Sequence, residues 1–174
     1  MKLFIDGRKE TFQKLSVFKK EDKIVWFHAA SLGEFEQAIP IIEEIKKKYQ
    51  EYKVLVTFFS PSGYEIRKNS ELADVICYLP FDTKANVRRF VDVVHPEIAI
   101  IVKYEFWPNL LNQLKKQSIP TILVSGIFRE EQAFFKSTGK WMRKSLSAFD
   151  HFFVQDKSSK KLLESIEFNN VSLS

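Results

Sequence analysis

Six short apolar runs, at 24–28, 53–59, 75–79, 97–102, 120–125 and 150–155, recur along the chain, and the intervals between them carry amphipathic patterns. Several of these runs are continuous, as strands covered on both faces must be, and their Val, Ile and aromatic residues suit a pleated, buried surface. The intervals read differently. Ala38, Ile41, Ile42, Ile45 and Tyr49 form a stripe at three- and four-residue spacing, as do Val87, Phe90, Val91 and Val94, and again Leu110, Leu111 and Leu114. That spacing is the period of a helix with one buried face. Strand and helix alternating through short connections predict parallel pairing, because parallel neighbours need a crossover and the crossover is right-handed. The predicted fold class is α/β, a Rossmann-like parallel sheet with helices on both faces.

A length of 174 residues suits one domain with a real core, and 45% hydrophobic with 28% charged residues excludes disordered and fibrous classes. The single cysteine, Cys77, lies within an apolar run and reads as a core residue. Seventeen Phe and three Trp exceed what a small core needs, so some are expected to face a lipid, a sugar or another domain. The net charge of +5 favours an anionic partner without choosing among phosphate, nucleic acid and an acidic membrane. No run of eighteen apolar residues and no signal-peptide pattern occurs. Residues 1–22 mix Phe4, Ile5, Phe12, Leu15, Val17 and Phe18 with six cations, a basic amphipathic approach segment that either packs on the domain edge or touches a membrane.

The chemistry concentrates where strands give way to helices. Trp26-Phe27-His28-Ala29-Ala30-Ser31-Leu32-Gly33-Glu34 reads as strand, tight turn and helix start, with residues small enough for a ligand to approach the backbone. Glu34 thus stands at the carboxyl end of a strand, where open α/β sheets place their ligands. Ser31 and Glu34 also fit a capping box, so base and cap are both open. Ser60-Pro61-Ser62-Gly63 likewise serves either as an anion cradle at a helix N-terminus or as a plain helix start. Asp82 or Thr83 can cap the next helix, and His95-Pro96 ends it. Lys103-Tyr104-Glu105-Phe106-Trp107-Pro108 brings a second carboxylate to the same sheet edge, with a Lys103–Glu105 ion pair as the structural alternative. Arg129, beyond the fifth strand, can reach a phosphate. Phe135, Met142, Leu146 and Phe149 then predict one helical stripe, leaving Phe134 and Trp141 off the core beside Lys136, Lys140, Arg143 and Lys144. No Gly-rich nucleotide loop and no metal-ligand spacing occurs, so no cofactor and no metal is indicated.

The run His28-Ala29-Ala30-Ser31-Leu32-Gly33-Glu34 resembles the signature of the Kdo transferases, which transfer 3-deoxy-D-manno-octulosonic acid. Lys103, Glu105 and Trp107-Pro108 resemble a second cluster of that family. Ser60–Gly63 is similar to its Thr/Ser-x-Thr/Ser-Gly turn, and Pro80-Phe81-Asp82 to its Pro-x-Asp element. Arg129 is offset from the family's Asn-Ala-Arg run. The resemblance implies an N-terminal domain, residues 23–174, of a two-domain GT-B glycosyltransferase whose C-terminal donor-binding domain is absent from the sequence. It implies inverting transfer of Kdo from CMP-Kdo to a lipid A precursor, at the cytoplasmic face of the inner membrane of a Gram-negative bacterium. Glu34 is then the general base and Glu105 its support. Ser31, Gly33, Ser60, Ser62, Gly63, Lys103 and Arg129 become the acceptor-binding residues, and the fragment alone is expected to be inactive.

Two rivals make different demands. A non-catalytic module for anionic lipid or phosphate would bind its ligand without Glu34. A nucleic-acid binder would need clustered cations and stacking aromatics, whereas these cations are spread over several helices, so no nucleic-acid partner is expected.

Overall fold

A computed structural model describes residues 7–174; Lys2, Phe4 and Ile5 of the approach segment lie outside the described residues. Seven strands form one parallel sheet: β1 (Lys23–Ala29), β2 (Tyr52–Phe58), β3 (Val75–Tyr78), β4 (Ile98–Val102), β5 (Thr121–Gly126), β6 (His151–Val154) and β7 (Val171–Leu173). Their spatial order is β3-β2-β1-β4-β5-β6-β7. The helices are α1 (Thr11–Leu15), α2 (Leu32–Lys48), α3 (Pro61–Arg67), α4 (Lys84–Val94), α5 (Pro108–Lys116), α6 (Lys140–Leu146) and α7 (Lys157–Glu164).

The strand order and the handedness rule together dictate the layers. The chain first steps outward from β1 to β3, and α2 and α3 cover one face through Phe35, Ala38, Ile42 and Tyr64. It then returns past β1 and steps the other way through β4 to β7. Right-handed crossovers taken in the opposite direction must lie on the opposite face. There α4, α5, α6 and α7 bury Val87, Phe90, Leu110, Leu114, Leu146 and Leu163 against Trp26, Leu55 and Ile101. The reversal falls between β1 and β4, which pair directly with His28 opposite Ile101. This is the topological switch point, and the crevice beyond the carboxyl ends of β1 and β4 is the place the fold offers a ligand.

Two local expectations are corrected, and one feature of α2 is added. The segment from Phe135 to Phe149 is not one helix: two 3-10 turns, Ala133–Phe135 and Ser137–Gly139, precede α6, and Phe149 lies beyond it. The 3.6-residue spacing therefore does not apply, and Phe134, expected at the surface, is buried against Phe106 and Phe128. Gly139 shows why the turns pack so closely, since a Cβ there would meet the Ala133 carbonyl oxygen at 1.6 Å. The seventh strand, β7, was also not anticipated; three residues are too few for a period to be read. Finally, α2 runs through the exposed Pro40, giving up one backbone hydrogen bond in mid-helix.

The approach segment packs on the edge of the domain. Leu15 is fully buried, Thr11 donates its hydroxyl to the Tyr78 carbonyl, and the buried Arg8 guanidinium donates to the carbonyls of Leu79 and Phe59. It is thereby tied to the same end of the sheet as the crevice.

Candidate functional site

Alternation along β1 divides its side chains between the two faces, so Phe27 and Ala29 face α2 while Trp26 and His28 face the other layer. The chain then turns through Ala30 and Ser31 into α2. Ser31 occupies the N-cap position with extended backbone, but its side chain makes no cap hydrogen bond. The predicted capping box is half made. Glu34, in the first turn, reaches back so that Oε2 accepts the Ala30 backbone N–H at 2.5 Å. Burial pushes the Glu34 carboxyl above the usual carboxylate range, and the charge of Glu105 pushes the same way; the N–H groups of Ala30 and Ser31 and the nearby His28 oppose this without cancelling it. Gly33 is exposed, and a Cβ added there would meet nothing within 4 Å. The helix start is therefore open to solvent at that position.

The second carboxylate comes from the loop after β4. Lys103 takes a left-handed backbone, φ 61°, as the strand ends, and Pro108 opens α5 at its first position. Asp82 fixes the loop from across the crevice, its carboxylate accepting the backbone N–H of Asn109 at 3.1 Å and of Leu110 at 2.9 Å. Asp82 thus caps α5, and Thr83 caps α4 by accepting from the Asn86 N–H. Between these anchors Glu105 Oε2 accepts the Trp107 indole N–H at 2.6 Å and lies 3.3 Å from His28 Nε2. Its side chain is 14% exposed. Burial alone would raise its pKa, but the hydrogen bond and charge interaction with His28, joined by the Trp107 donor, outweigh it and hold Glu105 below the usual range. The Lys103–Glu105 ion pair, the structural alternative for this cluster, is not formed. The left-handed turn at Lys103 separates the two, and the imidazole and indole occupy the carboxylate instead.

His28 is fully buried and was missed as a site residue. So was Thr57, whose hydroxyl lies 2.9 Å from His28 Nδ1 and accepts the Trp26 indole N–H at 2.8 Å. The signal was available in part: an ionisable ring within a strand otherwise apolar from Ile24 to Ala29 needs partners.

The turn after β2 joins this group, since the Ser60 backbone N–H donates to the Ala30 carbonyl at 2.7 Å. Ser60 caps α3 by accepting from the Ser62 N–H, the two hydroxyls lie 2.8 Å apart, and Pro61 holds the first helical position. Gly63 has a packing role of its own: a Cβ there would meet Phe58 Cδ1 at 2.5 Å and the Leu32 backbone nitrogen at 2.9 Å. The Phe59 ring stacks on Trp107 at 4.8 Å, closing the turn against the Glu105 loop. Arg129 is exposed beyond the carboxyl end of β5, its backbone N–H held by Gln132, and among the described residues its guanidinium makes no hydrogen bond or ion pair. Among the described residues no cluster of His, Cys, Asp and Glu is arranged to hold a metal ion, and no helix is long and apolar enough to cross a membrane.

A parallel sheet with two carboxylates at its switch point, one raised and one lowered, defines a Rossmann-like domain with a polar crevice at its carboxyl edge. Solved structures of UDP-N-acetylglucosamine 2-epimerases share this fold. One aligns with a TM-score of 0.62 at 14% identity, over 88% of this chain and 48% of that one, and the Neisseria meningitidis protein bound to UDP-GlcNAc with 0.60 at 14%, over 87% and 45%. The model of the 3-deoxy-D-manno-octulosonic-acid transferase family matches residues 6–174, and the chain belongs to that family. It is 38% identical over 102 residues to the 3-deoxy-D-manno-octulosonic acid transferase of Aquifex aeolicus, which is 58% of this chain and 27% of that protein. The Haemophilus influenzae transferase is 33% identical over 58% of this chain and 24% of its own length. A bifunctional glycosyltransferase/methyltransferase of Fusobacterium nucleatum is 25% identical over 95% of this chain and 26% of its own. The chain spans about a quarter of the length of these relatives.

Proposed function

We propose that this chain is the acceptor-binding, base-supplying domain of an inverting glycosyltransferase that moves Kdo from CMP-Kdo to a lipid A precursor. The observation that carries the reading is Glu34: a carboxylate at the switch-point crevice, raised toward working pH by burial and by the charge of Glu105. Glu34 takes the proton of the acceptor hydroxyl as that oxygen bonds to the anomeric carbon of Kdo. The bond from that carbon to the CMP phosphate breaks, and its electron pair leaves with CMP. The donor is held by a second, C-terminal domain.

The acceptor's phosphates and hydroxyls meet Ser31, Ser60, Ser62, Lys103 and Arg129, with the backbone at Gly33 and Gly63 close to the sugar. Lys103 suits this role because its ammonium is committed to no ion pair among the described residues. Membrane contact at the cytoplasmic face of the inner membrane is assigned to α6. Trp141 is 63% exposed there, beside the exposed Lys136, Lys140 and Lys144.

Calorimetric titration of this chain with a soluble, short-acyl disaccharide bisphosphate, and separately with CMP, tests the assignment. Binding of the disaccharide without binding of CMP is expected. Binding of CMP alone, or of neither, would overturn it.

A further inference from the structure

Fully buried His28 takes no step in the reaction proposed above, yet its neighbours fix where its proton resides. The Trp26 indole nitrogen only donates, so the Thr57 hydroxyl accepts at that contact and keeps one proton to give. Two acceptors lie in reach: His28 Nδ1 at 2.9 Å and the Phe27 carbonyl at 3.4 Å. The imidazole is the nearer. With Nδ1 accepting, the neutral ring carries its proton on Nε2, aimed at Glu105 Oε2. The opposite tautomer would donate from Nδ1 to the Thr57 carbonyl at 3.1 Å, and would then point a bare Nε2 lone pair at a carboxylate. If the ring takes a second proton, Nε2 still donates to Glu105. Glu105 Oε2 also accepts from Trp107, a second donor-only indole. The donations therefore converge on Glu105, from Trp26 through Thr57 and His28 on one side and from Trp107 on the other, with a fixed donor at each end.

A carboxylate so little exposed stays ionised only while its hydrogen bonds are filled. We propose that His28 is a positioning residue whose Nε2–H holds Glu105 as an oriented anion beside Glu34, so that Glu34 keeps its affinity for the acceptor's proton. The proposal rests on the reading of Glu34 as base. Without that donor Glu105 would compete for the proton itself, and the charge that keeps Glu34 basic would be lost.

Nitrogen-15 NMR of the imidazoles in this chain reads the tautomer directly, with His95 and His151 assigned by substitution. A single Nε2–H form of neutral His28 is expected; an Nδ1–H form or a rapidly exchanging mixture would overturn the proposal. In a full-length transferase carrying this domain, His28→Gln retains an N–H near the place of Nε2, whereas His28→Asn is too short to reach Glu105. The Gln variant is expected to exceed the Asn variant about ten- to hundredfold in kcat at similar KM. Equal losses in the two, or losses that follow thermal stability, would contradict a positioning role. Undiminished turnover in Glu34→Gln would instead defeat the base reading, and the tautomer measurement is independent of that outcome.

Discussion

Glu34 accepts the Ala30 backbone N–H at 2.5 Å, across the turn that links β1 to α2. One carboxylate oxygen thus helps to start the helix, while Ser31, the residue expected to share that work, makes no cap hydrogen bond with its side chain. A structural and a chemical role coexist at one side chain, and the predictions below separate them.

Burial and the charge of Glu105 raise Glu34, whereas His28 and Trp107 lower Glu105 despite its burial, so the two carboxylates make opposite pH-dependent contributions. Glu105 contributes stability above its unfolded pKa that is lost as pH falls through its lowered folded value. Raised Glu34 costs nothing below its unfolded pKa and subtracts stability as pH rises from there to its folded value. Relative to wild type, Glu105→Gln should therefore lose most at neutral pH and recover in acid, while Glu34→Gln should gain as pH rises. Urea denaturation of the three proteins between acid and neutral pH checks both signs.

Gly33 and Gly63 lie close together in the site and should respond oppositely to alanine. A Cβ at Gly33 meets open space at a helical position, so Gly33→Ala should stabilise the chain by about 0.5–1 kcal/mol. If the acceptor approaches that backbone, the same change weakens its binding. Paired denaturation and calorimetric titrations test this; a stabilised variant with unchanged binding would remove Gly33 from the site.

Gly63→Ala should destabilise by about 1–3 kcal/mol, because the added methyl meets the Phe58 ring and the Leu32 backbone. Denaturant unfolding reads this directly, and a neutral variant would show that α3 is free to shift away from α2.

Much of this arrangement was legible in the sequence. Continuous apolar runs fixed six of the seven strands to within a residue or two, and small residues between Ile24–Phe27 and the stripe of α2 placed Glu34 at a strand's carboxyl edge. The relations across strands were not legible. Thr57 faces His28 only through the register of β2 on β1, and Asp82 reaches α5 over 28 residues of sequence; no local pattern announces either. Phe134 was misplaced because a helical period was carried through a segment that forms 3-10 turns.

Trp141 offers the test of membrane contact. Because its side chain is largely exposed, Trp141→Ala should leave the unfolding temperature within a degree or two while weakening sedimentation with anionic phospholipid vesicles. Unchanged vesicle binding would assign the surface around α6 to some other use.

The central claim is that Glu34 acts as a base and not only as a helix cap. In Glu34→Gln the amide oxygen still accepts from Ala30, so the cap survives and the base does not. The decisive measurement is kcat of a full-length transferase carrying Glu34→Gln, read beside the thermal unfolding of the same variant. A loss of about 10²–10⁴-fold in kcat with folding and acceptor KM retained is the predicted result. Turnover within a few-fold of wild type, or a loss explained by unfolding, would contradict it.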